Sequence, residues 1–134
     1  MAITKDANVQ EVCSKSVTIG FADIVQNVAV AAIDIPPNSI ILSGHLFTTQ
    51  AWNSTTSDVL DVGDAGLATR YVTDAAIRAA SGALVALVPT GYTHTGGPIT
   101  VTHTAGTAST ATTGSTRLTV TYIQLGKSES VYEG

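Results

Sequence analysis

Apolar and polar residues alternate with a period of two along most of the chain. In SVTIGF (16–21), Val17, Ile19 and Phe21 alternate with Ser16, Thr18 and Gly20, which predicts a strand with one buried face. VAVAAIDI (28–35) sets Val28, Val30 and Ala32 on one side and Ala29, Ala31, Ile33 and Ile35 on the other. A strand apolar on both faces is central in a sandwich or covered by a neighbouring subunit. PPNS (36–39) breaks the ladder with prolines and a turn-forming Asn-Ser. IILSGHLFTT (40–49) resumes as a long strand, VLDV (59–62) is a short one, and ALVALVP (83–89) reads as a buried strand ended by Pro89. TDAAIRAAS (73–81), with Thr73 as N-cap and alanines behind it, predicts one or two helical turns or a loop. PITVTHT (98–104) and TRLTVTYIQL (116–125) form a last pair, joined by the small, polar loop AGTASTATTGS (105–115).

Seven or eight strands with turn signals between them, and at most one short helix, predict an all-β fold: an antiparallel β-sandwich resembling a jelly roll. No internal repeat and no domain boundary is visible, so residues 1–134 are expected to form one sandwich domain with extended polar arms at about 1–11 and 127–134.

Composition sharpens this. Charged residues make up 12% of the chain, against about 25% in an ordinary soluble domain. Thr, Ser, Gly and Ala take their place, giving a weakly repelling surface suited to a subunit packed against others. The net charge is −4, and no Lys or Arg lies between Lys15 and Arg70, so there is no cationic stripe for nucleic acid. The longest apolar run, VAVAAI (28–33), is far short of the roughly 20 residues that span a bilayer. MAITKDANVQ lacks the apolar core of a signal peptide. The lone Cys13 allows no internal disulfide and reads as a small, half-buried side chain. These features fit synthesis in a reducing cytoplasm.

Chemistry has few carriers. There is no G-x-S-x-G elbow, G-x-G-x-x-G fingerprint or P-loop. His94 and His103 sit in matching THT triplets (93–95 and 102–104), but their spacing fits no zinc pattern and no acid or cysteine lies nearby in sequence. They read as surface or subunit-contact residues, although His103 shares a strand face with Ile99 and Val101. Residues 90–121 hold 13 threonines, expected on solvent faces of strands. A flat hydroxyl array for sugar or ice would need Thr rows on several adjacent strands. Attention therefore falls on DVLDVGDAG (58–66). Strand alternation sends Asp58 and Asp61 to opposite faces. Asp61 and Asp64 either order a glycine turn, with Arg70 as charge partner, or hold a structural cation together with backbone carbonyls and Asp74. An EF-hand loop is excluded by the spacing. No cofactor is expected.

Several stretches together resemble a group of small structural proteins of tailed bacteriophages: Ile35–Pro36, Phe47, Asn53–Ser54, Ser57–Asp58, the LDVGD of 60–64, Arg70–Tyr71 and the RLTVTYI of 117–123. The resemblance covers about residues 28–125. It implies a β-sandwich virion component, a non-enzymatic capsid decoration or cement protein. Such proteins sit on the capsid surface as homotrimers or homodimers and clamp the major capsid protein. No catalytic residues come with it. Phe47, Trp52 and Tyr92 are candidate subunit contacts. An alternative is a carbohydrate-binding module of a phage head or tail fibre, with Trp52 and Tyr92 as stacking platforms.

Overall fold

The protein is described by a computed structural model covering residues 11–54, 57–78, 82–105 and 111–125. Its strands are β1 (Val12–Gly20), β2 (Ala29–Ile35), β3 (Ser39–Gln50), β4 (Asp58–Asp64), β5 (Val72–Ala76), β6 (Leu84–Ala86), β7 (Thr93–His94), β8 (Gly97–Ala105) and β9 (Ser115–Gln124). Among the described residues there is no helix. The first sheet runs β1-β9-β3-β6, with β7 also pairing β3, and the second runs β2-β8-β4-β5. All pairings are antiparallel. Most consecutive strands lie in opposite sheets, so the chain wraps around the core in the winding of a jelly roll.

Alternation along the strands fills the space between the sheets. Ile41 and Leu46 from β3, Leu118, Val120 and Tyr122 from β9, Leu60 and Val62 from β4, and Ile99 and Val101 from β8 are buried there with Trp52, Tyr71 and Ile77. At about 25 cal/mol per Å² of apolar surface buried, side chains of this size stabilise by roughly 1.5–3 kcal/mol each before entropy is counted.

The structure explains the doubly apolar VAVAAIDI. A register shift between Ala31 and Ile33 against β8 places an extra residue in β2. Half-buried Val30 and buried Ile33 and Ile35 all serve the core despite their different parity, while Ala29 and Ala31 face out. The bulge accounts for core-facing residues of both parities. On β1, Cys13 and Val17 are half-buried against the core, as the period implies. Lys15 has the same inward parity, and its Nζ donates to the Asp34 carbonyl oxygen of β2 at 2.6 Å. A lysine turned inward at a sheet edge discourages further strand pairing there. A cleft of about 330 Å³ between β1 and β2 is lined by residues including Val17, Thr18, Asp23, Ile24 and Val30.

Three expectations need correction. TDAAIRAAS is not helical where it is described: Val72–Ala76 is strand β5, held by Val59↔Ala76 and Leu60↔Ala75 pairing, with Asp74 at φ 54°. Residues 79–81 of that stretch lie outside the described residues. ALVALVP is not a buried strand, because β6 is a three-residue edge strand with Leu84 and Val88 each 62% exposed. PITVTHT and TRLTVTYIQL do not pair with each other but occupy opposite sheets. The arms at 1–10 and 127–134, and residues 106–110 of the loop between β8 and β9, lie outside the described residues.

Candidate functional site

Strand parity makes two sites out of DVLDVGDAG. Asp58, Leu60, Val62 and Asp64 share the inner face of β4, and Asp61 points the other way. Each inner aspartate meets a THT histidine delivered by a different strand.

At the first site, β8 brings His103 inward beside Ile99 and Val101, opposite Leu60 of β4. Its Nε2–H donates to Asp58 Oδ1 at 2.7 Å, and Asp58 Oδ2 accepts the Ser54 N–H at 3.0 Å. Asp58 and His103 are each 1% exposed. The Trp52 indole stacks on the imidazole with ring centroids 5.1 Å apart, and its Nε1–H donates to Thr116 Oγ1 at 2.9 Å. Thr116 is in turn within 3.4 Å of the Thr48 hydroxyl. Gly114 permits this packing, since a Cβ there would lie 2.5 Å from Trp52 Cδ2. Asp58, His103 Nε2, Trp52, Thr116 and Thr48 are all partnered in this chain of contacts, the buried Ser54 Oγ has no partner among the described residues, and the site is closed to solvent.

At the second site, the chain turns sharply after β4. Asp64 Oδ1 accepts the N–H groups of Gly66 and Leu67 at 2.9 and 3.0 Å. Arg70 closes the turn as a fork, Nε to Oδ2 at 2.6 Å and a second nitrogen to Oδ1 at 3.2 Å. Gly63 is required because the turn folds back over it: a Cβ would sit 2.2 Å from the Leu67 carbonyl oxygen. The Arg70 guanidinium lies 3.5 Å from the centroid of the Tyr92 ring, a cation–π contact. His94 Nδ1 accepts the Gly96 N–H at 3.0 Å, so in the neutral ring Nε2 carries the proton. That proton faces Asp64 Oδ2 at 3.8 Å, too far for a hydrogen bond, and Nε2 has no partner among the described residues. The buried Tyr71 hydroxyl is likewise unpartnered there, and burial above all pushes its pKa up to about 12.

Burial holds the His94 pKa below its ordinary 6.5, with Arg70 adding to the effect and Asp64 opposing it. Burial is also the largest influence on Asp64, raising its pKa, but the Arg70 and backbone hydrogen bonds together outweigh it and leave the value below 3.8. Both shifts destabilise the fold in acid, in separate windows. Below about pH 6.5 the unfolded chain protonates His94 before the folded one does, so stability begins to fall there. The Asp64 contribution is complete above about pH 3.8 and is lost as pH drops through its lowered folded value. Melting temperature is therefore expected to decline from pH 7 towards pH 5, and His94→Gln is expected to reduce that slope. A slope unchanged by the substitution would remove His94 from the account.

These positions revise several sequence expectations. Asp61 and Asp64 lie on opposite sides of β4 and do not converge; Asp61 Oδ1 accepts the Asp74 N–H at 2.7 Å. With both Asp64 oxygens taken by donors, the pair does not assemble a cation site. No group of three or more His, Cys, Asp or Glu among the described residues is arranged to hold a metal. His94 and His103 are 3% and 1% exposed, not surface residues. Trp52, at 2% exposure, is a core residue, neither a subunit contact nor a stacking platform. Tyr92 is half-buried, with one ring face covered by Arg70. Sequence reasoning missed the Asp58–His103 contact, yet a signal was present. Asp58 has the parity of Leu60 and Val62, and His103 that of Ile99 and Val101, so each needed a buried partner.

The outer face of the β1-β9-β3-β6 sheet has a different character. Val12, Ile123 and Ile40 form an apolar row across three strands. Next come Ser14, Thr121 and Ser43, then Ser16, Thr119, His45 and Ala86, and finally Thr18, Arg117, Phe47 and Leu84. Ser14 and Thr121 hydroxyls lie 3.0 Å apart, Ser16 and Thr119 hydroxyls 2.8 Å. Arg117 stands over the Phe47 ring at 5.2 Å. The threonines of β8 belong to the other sheet, beside Ala29, Ala31, Asp61 and Gly63, so they do not extend these rows.

No family model and no curated protein matches the chain. Solved structures do. A chain of the cyanophage Pam1 capsid asymmetric unit superposes with a TM-score of 0.66 at 27% identity, covering 92% of each chain. A chain of the capsid of Ralstonia phage GP4 superposes with a TM-score of 0.60 over 95% of this chain and 91% of that one, and at 14% identity it speaks for the fold alone. The resemblance drawn from Ile35–Pro36, LDVGD and RLTVTYI thus meets an independent likeness in three dimensions, and together they support a phage structural protein with a capsid-associated role.

Proposed function

We propose that this chain is a non-enzymatic capsid decoration, or cement, protein. It binds the major capsid protein on the outside of the shell as a homodimer or homotrimer, after synthesis in the host cytoplasm. The observation that carries the reading is the likeness to the Pam1 capsid chain, which covers 92% of each chain at 27% identity. A non-enzymatic role is supported by the chemistry: both acid–histidine contacts are sealed in the interior, where they order the fold and reach no substrate. Phe47 and Tyr92 remain candidate contacts with neighbouring subunits. A protein that binds only the assembled shell stabilises it by mass action, by an amount set by its concentration relative to Kd. Purified protein mixed with shells stripped of it is therefore expected to co-sediment at micromolar concentration and to raise the temperature at which the shells rupture. Protein that stays in the supernatant and leaves rupture unchanged would overturn the assignment.

A further inference from the structure

The outer face of the β1-β9-β3-β6 sheet is organised for covering. Four hydroxyls of its two middle rows are already hydrogen-bonded in pairs, Ser14 with Thr121 and Ser16 with Thr119. Removing water from hydroxyls that keep their partners costs far less than stranding them. Apolar side chains stand at both ends: Val12, Ile40 and Ile123 at one, Phe47 and Leu84 at the other. Val12 and Leu84 are 65% and 62% exposed. Arg117 is the one charged side chain among the residues of these rows.

We infer that this face pairs with the same face of a second copy, across a two-fold axis running perpendicular to the strands between the two hydroxyl rows. The inference rests on the reading of the chain as a self-associating capsid component and specifies the surface used. Such an axis lays each copy's Val12–Ile123–Ile40 row over the other's Thr18–Arg117–Phe47 row, so that Ile40 meets Phe47 and the hydroxyl rows meet each other. A two-fold contact needs a patch complementary to itself, and only this reversed orientation matches the unlike ends.

Charge supports a second copy over a strongly charged partner. An acidic or basic partner would find almost nothing here to pair with. Two copies would keep their Arg117 side chains at opposite ends, six residues of β9 or about 20 Å apart, well beyond a Debye length of about 8 Å. The opposite outer face carries or borders Asp34, Asp61 and Asp74, which would repel in a like pairing. The area is also adequate. Strands of 9, 10, 12 and 3 residues, spaced about 4.8 Å apart with about 3.3 Å per residue along them, make a face of roughly 540 Å² per copy. The total of roughly 1,100 Å² clears the roughly 1,000 Å² expected of a specific interface.

Light scattering of the purified 134-residue chain tests this without the shell. The expected mass is twice 13.7 kDa. Thr119→Arg, at the centre of the face, is expected to weaken association at least about 100-fold and yield monomer, two factors of ten in Kd. Ala29→Arg, on the opposite face, is expected to leave the dimer intact. Leu84→Asp, on an exposed edge strand that contributes little to the core, is expected to weaken the dimer even where Thr119→Arg disturbs folding. A single-chain mass through the micromolar range would overturn the inference. So would a three-chain mass, a dimer indifferent to both face substitutions, or dissociation by Ala29→Arg. Failure to co-sediment with shells bears on the proposed function alone, since the mass is read without them.

Discussion

Asp58→Ala is expected to destabilise the sandwich by about 3–5 kcal/mol, because two buried donors lose their acceptor. The carboxylate is the acceptor for two buried donors, His103 Nε2–H and the Ser54 N–H. Each orphaned donor costs about 1–3 kcal/mol, which puts the pair in this range. In a domain of this size that is a fall in melting temperature of roughly 10–20 °C. Asp58→Asn keeps an acceptor oxygen in nearly the same place and is expected to cost less than half as much. Calorimetry of both variants checks the ordering. A melting temperature for Asp58→Ala within a few degrees of the parent would mean that the contact contributes little.

Trp52→Ala should produce a loss of similar size, about 3–5 kcal/mol, as for other large-to-small changes of buried aromatics. Three contacts go at once: the stack on His103, the bond to Thr116 and the close packing on Gly114. Trp52→Phe fills most of the volume but gives up the indole N–H, and is expected to cost about 1–2 kcal/mol. Urea unfolding followed by far-UV circular dichroism measures both. Trp52 is the only tryptophan, so parent fluorescence reports directly on this part of the core. Its emission is expected to stay unchanged with any added glycan, because no ring face is available for stacking.

Much of the sandwich was legible because one buried face leaves a period of two. Val17 and Ile19, Leu118 and Val120, and Ile99 and Val101 all turned inward as their alternation implied. The failures have physical causes. TDAAIRAAS carries good helix formers, but Ala75 and Ala76 are claimed by Leu60 and Val59 across the ladder, and pairing overrides local propensity. VAVAAIDI looked two-faced because no local signal announces a bulge. ALVALVP looked buried because hydrophobicity alone does not reveal which sheet edge a strand will occupy. Of the candidate site, the turn residues Asp64 and Arg70 are six apart and within reach of local reasoning. Asp58 and His103 are 45 apart; parity places each on a core face, but only the topology makes them partners.

The position of β9 has a consequence for how the protein is made. This last described strand lies between β1 and β3, so the first sheet has no centre until residues 115–124 have left the ribosome. Until then β1 and β3 emerge with unpaired edges and apolar faces exposed, and a nascent chain cannot store its early strands in finished form. Pairing residue 12 with residue 123 also demands closure of almost the longest loop the described chain allows. Long-range β topologies of this kind fold in about milliseconds to seconds. A chain cut short before residue 115 would thus be left aggregation-prone with its first sheet unfilled, whereas one that extends past residue 124 carries every described strand of that sheet.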